Sequence, residues 1–273
     1  CLLVAGAEAG TPARERLDAV AATQDGFALS GVDLDQRREG AVLGTSQAGM
    51  RSSLRVLRVV RDEDTIVVAR EEATAVVADA GSLAALSTAA TEAVARYGRL
   101  DGWVHAVGSI LLKPFSATSE EDWAKQLDRN AGSAFRALHA ALGPMRKQRG
   151  GSIVLFGSAA ASVGLPNHAA IAGAKAAVVG LARAAAMDLA RYGIRVNVVS
   201  PGLVRTPMSA AITSNEASLK VSQAMHPTGR ISEPADVAAA VLYLLSDGAA
   251  NVTGAVLPVD GGMAAGRPPA IVS

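Results

Sequence analysis

The chain has 273 residues, half of them apolar, and its 26 basic and 25 acidic side chains give a formal net charge of +1. This length fits one large α/β domain whose core needs neither a disulfide nor a metal to form. The near-neutral net charge gives no electrostatic reason to expect binding to nucleic acid or to an anionic membrane. Cys1 is the only cysteine, which excludes intrachain disulfides and a cysteine-built metal site and favours a reducing, cytoplasmic location.

The apolar stretches of the sequence are interrupted by charged residues, proline or glycine. We expect none of them to reach the roughly 18–20 apolar residues that span a bilayer. Residues 1–10 are apolar but lack the basic leader of a secretory signal. These patterns predict a cytoplasmic globular protein with no membrane partner.

From about residue 75 onward, short apolar runs alternate with longer helical patterns, which is typical of parallel strands linked by helices. The predicted strands are 75–79, 102–107, 152–156, 194–199 and 255–259. The predicted helices are 82–97, 120–148 (as one helix or two), 169–191 and 233–245. Trp123, Leu127 and Phe135 are expected to face inward. The order predicts an α/β fold, a Rossmann-like doubly wound parallel sheet, in a single domain over 1–273.

The first 75 residues can be assigned in two ways, and the first assignment places a glycine turn near the start. A strand at 2–4 leads through a turn containing Gly6 and Gly10 into a helix. Thr11 fits the N-cap of that helix, and Pro12 fits its first position, where proline's missing N–H is not needed.

A second strand at 27–32, ending at Asp33, completes a βαβ unit in this assignment. Residues 34–74 then form an insertion, with an extra edge hairpin strand at 65–69. The alternative places the glycine loop at 44–51, before a helix and the same hairpin strand. It leaves only about five residues before the next strand, whereas a parallel crossover needs roughly a dozen or more. We therefore prefer the first assignment.

Four positions in the second half of the chain share one pattern of spacing. Asn130 lies twenty-eight residues before Ser158, position 171 lies thirteen residues after it, and Lys175 follows four residues later. This spacing resembles the Asn, Ser, Tyr and Lys of the short-chain dehydrogenase/reductase family. In that family, position 171 is the tyrosine of a Tyr-x-x-x-Lys motif, the acid that protonates the carbonyl oxygen during hydride transfer. This chain has Ile171 there, and isoleucine can neither give nor take a proton.

The resemblance covers about residues 75–263 and implies NAD or NADP as the cofactor. The cofactor-binding positions that it implies are Gly6, Gly10, Asp33, Asp79, Gly108, Lys175, Pro201, Gly202 and Thr206. A carboxylate at Asp33 favours NAD over NADP, because it can accept hydrogen bonds from the ribose hydroxyls. Glu8 and Pro12 oppose phosphate binding by adding a negative charge and removing an N–H donor. A tight turn that binds nothing is therefore the alternative for this loop.

The resemblance also implies a role for each candidate catalytic residue. Ser158 is expected to hydrogen-bond the substrate carbonyl or its developing oxyanion. Lys175 is expected to hold the nicotinamide ribose and to lower the pKa of a nearby acid, and Asn130 to hold a water that links Lys175 to solvent. His168 is the candidate replacement for the missing tyrosine, because histidine titrates near neutrality. Its alternative role is packing or capping at the helix start.

Two functions follow from these residues. The first is an NAD(P)-dependent oxidoreductase acting on a carbonyl or alcohol, with His168 or water as an altered proton donor. The second is a catalytically inactive subunit with a binding or scaffolding role, which the changes at Ile171, Pro12 and Glu8 favour. The family also includes lyases and isomerases, which nothing in this sequence favours.

The expected partners are a small-molecule substrate and further protein subunits. In the family, the segment at 206–230 forms a lid over the substrate, and a helical pair packed on the body is the alternative. The alanine-rich helix at 169–191 allows close approach of a partner helix, so we expect a homodimer or homotetramer, or pairing with an active paralogous subunit. Residues 264–273 are predicted to be a C-terminal tail.

Overall fold

The structure is a computed structural model that describes residues 78–266. The chain divides into two compact units, Cys1–Ala80 and Gly81–Ser273, and the description below concerns the second. The following predictions lie outside the described residues: Gly6, Gly10, Asp33, the insertion at 34–74, the glycine loop at 44–51 and the tail beyond 266.

Among residues 78–266, four parallel strands form one sheet in the order β1-β2-β3-β4. Strand β1 is Gly102–His105, β2 is Gly151–Phe156, β3 is Ile194–Pro201 and β4 is Val256–Val259. The strands run in parallel register, with His105 opposite Leu155 and Phe156 opposite Val199. The predicted parallel α/β sheet is confirmed, although β1 ends two residues earlier than expected. Residues 78 and 79, predicted as the end of a strand, have no strand structure.

Seven helices accompany these strands in the described part of the chain. They are α1 Leu83–Tyr97, α2 Glu120–Leu127, α3 Ser133–Gln148, α4 Ala169–Leu189, α5 Ala210–Thr213, α6 Glu216–Met225 and α7 Pro234–Leu245. Capping side chains explain where the first two begin. Ser82 Oγ accepts a hydrogen bond from Ala85 N at 3.2 Å, and Ser119 forms a capping box with Asp122.

The sheet is covered on both faces. On one face, Ser152 Oγ donates to Leu244 O at 2.9 Å, and Val154 packs against the apolar side chains of α7. Ile153 and Leu155 point the opposite way, because successive side chains of a strand alternate. They are completely buried as well, under helices α3 and α4, which pack on the sheet. Burying an apolar side chain of this size contributes about 1.5–3 kcal/mol to the free energy of unfolding.

A π-helical turn, Asp128–Gly132, joins α2 to α3 in one continuous helical path. The turn inserts an extra residue and shifts the phase of the helix that follows. For this reason Phe135 lies on the outer face with 54% of its surface exposed. Trp123 is 44% exposed, although one edge of its ring packs against Gly173 of α4. The prediction that Phe135 and Trp123 face inward is therefore wrong, whereas Leu127 is half-buried.

Helix α4 and the short turn after it, Ala169–Tyr192, are long and apolar enough by length and composition to cross a membrane. The expectation that no segment reaches that length is therefore wrong. One side of α4, including Ala174, Val178 and Ala182, is buried, and the helix packs along β3. This is the position of a core helix lying on a sheet.

Candidate functional site

The candidate site lies at the carboxyl end of the sheet. Gly108 follows β1, Ser158 follows β2, and Gly202 follows the last residue of β3, Pro201. Because parallel strands all finish at the same end of a sheet, the loops after them converge there. Helix α4 packs on both the turn that follows Ser158 and the π-helical turn. The fold thus brings together segments that are distant in the sequence.

Gly108, Asn130 and Lys175 meet at one point of this end. A Cβ added to Gly108 would lie 2.6 Å from Asn130 Oδ1 and 3.3 Å from Lys175 Nζ. A side chain at position 108 would therefore displace both groups, so glycine is needed for the close approach of the backbone. The three residues were predicted as parts of one site, and the structure places them side by side.

The Asn130 side chain is 1% exposed and is held entirely by protein groups. Its Nδ2 donates to Gln126 O at 2.9 Å and to Ser109 O at 3.2 Å. Its Oδ1 accepts from Ser109 N at 3.3 Å, and Gln126 Nε2 donates to Ser109 Oγ at 3.1 Å. Asn130 therefore fastens the loop after β1 to the π-helical turn. Gln126 and Ser109 were not predicted from the sequence, although Gln126 lies one helical turn before Asn130.

The Lys175 side chain is partly exposed along its length, but its ammonium group is largely buried and has few partners. Its Nζ donates to Phe156 O at 3.0 Å, and this is the one hydrogen bond found for it among residues 78–266. Burial lowers the pKa of Lys175 to about 8, because the charged form loses its hydration. An ammonium has three N–H donors, so this group retains donors for a ligand.

Ser158 and Ile171 border the same end of the sheet. Ser158 Oγ accepts from Ala160 N at 3.2 Å, which orients its hydroxyl at the start of a short helical turn. Ile171 is 4% exposed and lies one turn before Lys175, so both side chains share a face of α4. An apolar side chain therefore occupies the place that the family pattern gives to the acid.

His168 lies immediately before α4, at its N-cap position, but its side chain makes no capping hydrogen bond. Its Nδ1 lies 2.6 Å from Pro166 O, and a carbonyl oxygen can only accept. The neutral ring therefore carries its proton on Nδ1 and leaves a lone pair on Nε2. The half-exposed ring is oriented by its own loop, one turn away from Ile171.

His105 is a second histidine near the site and, unlike His168, it is buried, at the end of β1. Its Nε2 lies 2.9 Å from Ser133 Oγ. Since the hydroxyl of Ser133 donates to Arg129 O at 2.7 Å, His105 must donate through Nε2. Burial, followed by the charges of Lys175 and Arg136, lowers the pKa of His105 to about 4. The ring is therefore neutral near pH 7 and serves as a fixed donor.

His226 binds the lid segment to the end of β3. Its Nδ1–H donates to Ser222 O at 2.6 Å, and its Nε2 accepts from Leu203 N at 3.2 Å. The ring is 2% exposed and lies so close to Gly202 that a Cβ there would collide with Nε2. His226 was not predicted from the sequence, because a lone histidine in a polar segment has no distinguishing spacing.

The lid segment itself is a pair of helices, α5 and α6, as in the alternative considered for 206–230. Thr206 precedes the pair, and its N–H donates to Ser209 Oγ at 3.1 Å. Apolar side chains lie on the surface of the lid segment: Met208 is 57% exposed and Val221 is 64% exposed. Asp79 is the last of the predicted cofactor-binding residues that the structure describes. It is exposed and comes just before α1 in the sequence.

The described residues fit the nicotinamide-ribose part of a dinucleotide. The observation that supports this fit is the buried Lys175 ammonium, which has donors to spare beside the close backbone approach at Gly108. Ribose hydroxyls are acceptors that such a group can hold. A separate cavity of about 660 Å³ lies beyond β4, and none of the predicted site residues lines it.

Comparisons with known proteins cover most of the chain. A profile of the family described as Enoyl-(Acyl carrier protein) reductase matches residues 36–264. The inactive 2-(S)-hydroxypropyl-CoM dehydrogenase 2 of Xanthobacter autotrophicus is 38% identical over 228 residues, which cover 81% of this chain and 99% of the relative. The cyclopentanol dehydrogenase of Comamonas testosteroni is 40% identical over 172 residues, which cover 63% of this chain and 69% of the relative.

Solved structures share the fold. The structure of ElxO with NADP bound is similar with a TM-score of 0.69 and 27% sequence identity, over 75% of this chain and 85% of ElxO. The likeness confirms the Rossmann-like architecture predicted from the alternation of strands and helices. The sequence match also begins well before residue 75, where the pattern had first become clear.

Proposed function

Since the chain belongs to the short-chain dehydrogenase/reductase family, we propose that it is an NAD(P)-dependent oxidoreductase interconverting an alcohol and its carbonyl compound. The observation that carries this proposal is the buried ammonium of Lys175 beside Gly108, with N–H donors left for a ligand. A pseudoenzyme under no demand to bind a ligand would gain stability by replacing such a group with an apolar side chain. The retained lysine therefore supports a working cofactor site.

In this proposal, the chain's own residues hold the cofactor, which supplies or accepts the hydride. Lys175 holds the nicotinamide ribose, and the backbone at Gly108 allows the cofactor close approach. Pro201, Gly202 and Thr206 contact the carboxamide and pyrophosphate, as the family resemblance implies. NAD is favoured over NADP because of the carboxylate at Asp33.

The substrate is proposed to be an apolar secondary alcohol or ketone. Ser158 donates a hydrogen bond to its oxygen, and the buried side chain of Ile171 makes the adjoining wall apolar. Exposed Met208 and Val221 on the lid segment are suited to covering an apolar ring. The relative named as a cyclopentanol dehydrogenase supports this class. The proton donor is altered, since Ile171 cannot serve, and the sequence offers His168 or water.

The test combines binding with turnover. We expect calorimetry to show NADH or NADPH binding, and cyclopentanol to be oxidised with NAD or NADP present. Ser158→Ala should lower kcat by about 100-fold, in the range of a lost oxyanion donor. Ser162→Ala, an exposed serine just after the same short turn, is the matched control. If neither nucleotide binds, the oxidoreductase proposal is wrong.

A second candidate function is an inactive subunit with a binding role. It is favoured by the buried, apolar Ile171 and by the relative whose name describes an inactive dehydrogenase. This reading expects no turnover of cyclopentanol and a stable complex with an active paralogous subunit. Measurable turnover by the isolated chain that is lost in Ser158→Ala would exclude it.

We further propose that the protein is cytoplasmic and forms a homodimer or homotetramer. Its one cysteine, Cys1, suits a reducing compartment. The outer face of α4 is rich in alanine and carries Met187, which is 68% exposed. Small residues there let a second copy approach closely. Light scattering should report a dimer or tetramer, and Met187→Glu should shift it toward monomer.

A further inference from the structure

We propose that Lys175 itself donates the proton to the substrate oxygen in the reduction and takes it back in the oxidation. The inference rests on the proposed oxidoreductase function. It assigns to Lys175 the role of the acid, which the isoleucine at position 171 cannot fill. It differs from the role that the family resemblance implies for this lysine, which is to hold the ribose and tune a neighbouring acid.

The first support is the geometry of the Lys175 ammonium. Its one hydrogen bond within residues 78–266 goes to the carbonyl oxygen of Phe156, the last residue of β2, so Nζ lies at the end of the strand that Ser158 follows. Three other lysines of the described chain pair with carboxylates: Lys113 with Asp122, Lys125 with Glu121 and Lys220 with Glu216. A carboxylate would hold the proton on Lys175, and no such pair is found for it in that part of the chain.

The second support is the environment of the amine. Burial lowers the pKa of Lys175 to about 8, and general acids work best when their pKa lies near the working pH. Ile171, one turn away on the same face of α4, adds apolar surface and no second titrating group. The apolar substitution therefore favours a lysine that can release its proton.

The other candidates serve less well. Nδ1 of His168 is engaged with Pro166 O, which holds the ring to its own loop. Ser158 can donate a hydrogen bond, but a hydroxyl without an adjacent base is a poor acid. His105 is neutral, and its Nε2 proton is engaged with Ser133 Oγ. Lys175 lies at this end of the described sheet, carries exchangeable protons and is partly open to solvent.

In the proposed reaction, every proton and electron pair has a donor and an acceptor. In the reduction, the carbonyl carbon receives a hydride from the reduced nicotinamide, which is oxidised. The electron pair of the C=O π bond moves to oxygen, and that oxygen takes a proton from Lys175 Nζ. The neutral amine then regains a proton from solvent water. In the oxidation, the neutral amine accepts the hydroxyl proton as the hydride leaves.

The first experiment needs neither cofactor nor substrate. The full chain is labelled with a trace of acetic anhydride between about pH 6 and 11, and each lysine is quantified by mass spectrometry. We expect Lys175 to reach half-maximal reactivity near pH 8, and exposed Lys125 and Lys220 to do so near the ordinary lysine value of about 10.4. A midpoint for Lys175 at or above that of the exposed lysines would overturn the inference.

The second experiment measures the rate of cyclopentanone reduction against pH. We expect kcat to fall above about pH 8 in the wild type, because the acid is then deprotonated. Lys175→Arg keeps a positive charge that does not titrate in this range. It should bind NADH or NADPH within a few-fold of the wild type, while kcat falls by about 100-fold or more and loses its high-pH decline. Exposed Lys147→Arg is the matched control and should behave as the wild type.

The outcomes separate the inference from the proposed function. No binding of NADH or NADPH to the wild type overturns both. If the wild type binds NADH or NADPH, but Lys175→Arg keeps both its kcat and the decline of kcat at high pH, the inference alone is overturned. A decline that persists in Lys175→Arg but disappears in His168→Gln would assign the proton to His168 instead.

Discussion

Asn130 and Lys175 approach the same point beside Gly108, yet their polar groups are used in opposite ways. Both polar atoms of the Asn130 amide bond to protein, through Ser109 and Gln126. The Lys175 ammonium has one bond, to Phe156 O, within residues 78–266. Buried polar groups with all partners inside the protein stabilise the fold, whereas a buried charge with unused donors costs stability. We infer that Asn130 builds the site and that Lys175 serves a ligand.

This comparison predicts that changes at the two residues separate stability from activity. A variant of Lys175 should lose function and keep or gain stability. A variant of Asn130 should lose stability first, and activity only as a consequence. Variants that behave alike would show that the two residues belong to one structural network.

The largest expected effect is on activity. Lys175→Met should lower kcat/KM for cyclopentanol by about 100-fold or more, because it removes the ribose contact and the proposed acid together. Its free energy of unfolding in urea should equal or exceed that of the wild type at pH 7, since a poorly solvated charge is removed. Lys147→Met, on an exposed part of α3, is the control. A clear loss of stability in Lys175→Met would contradict the assigned role.

The next effect is on stability. Asn130→Ala should lower the free energy of unfolding by about 3 kcal/mol, because Ser109 and Gln126 lose buried partners. Urea unfolding followed by circular dichroism measures this change. Asn251→Ala, at an exposed turn, should change it by less than about 0.5 kcal/mol. Equal effects of the two substitutions would show that the Asn130 network contributes little.

Asn130, Ser158 and Lys175 were predicted because their spacing, within a repeating order of strands and helices, resembles that of the short-chain dehydrogenase/reductase family. The same order predicted the parallel sheet, since alternating apolar runs and helical patterns have no other simple arrangement. The π-helical turn could not be predicted in this way. It changes the helix phase, and this is why Phe135 lies outside.

The contacts that hold the site were harder to predict than the residues in it. Ser109 meets Gln126 across 17 residues, and His226 meets Leu203 across 23. Such pairs depend on how loops fold back over the sheet, which neither periodicity nor spacing encodes. The helical lid pair was likewise left open, because its polar sequence suits a loop and a surface helix equally.

Stability should also depend on pH through Lys175. Its pKa in the folded protein, about 8, lies below the value of about 10.4 expected for the unfolded chain. Between these values the unfolded chain binds more protons, so the free energy of unfolding rises with pH, by about 3 kcal/mol over the window. Urea titrations from pH 7.5 to 10.5 test this prediction. The part of the slope due to Lys175 should disappear in Lys175→Met.

The smallest expected effect concerns the attachment of the lid segment through His226. In His226→Gln, the side-chain oxygen still accepts from Leu203 N, but the donor to Ser222 O is lost. One net hydrogen bond is worth about 1 kcal/mol, so KM for cyclopentanol should rise a few-fold while kcat changes little. Residues 206–230 should also be cut faster in limited proteolysis. His139→Gln, on an exposed part of α3, is the control. An unchanged KM and cleavage rate would mean that His226 fills space without holding the lid, and Lys175 would then act in a site whose cover is fixed by other contacts.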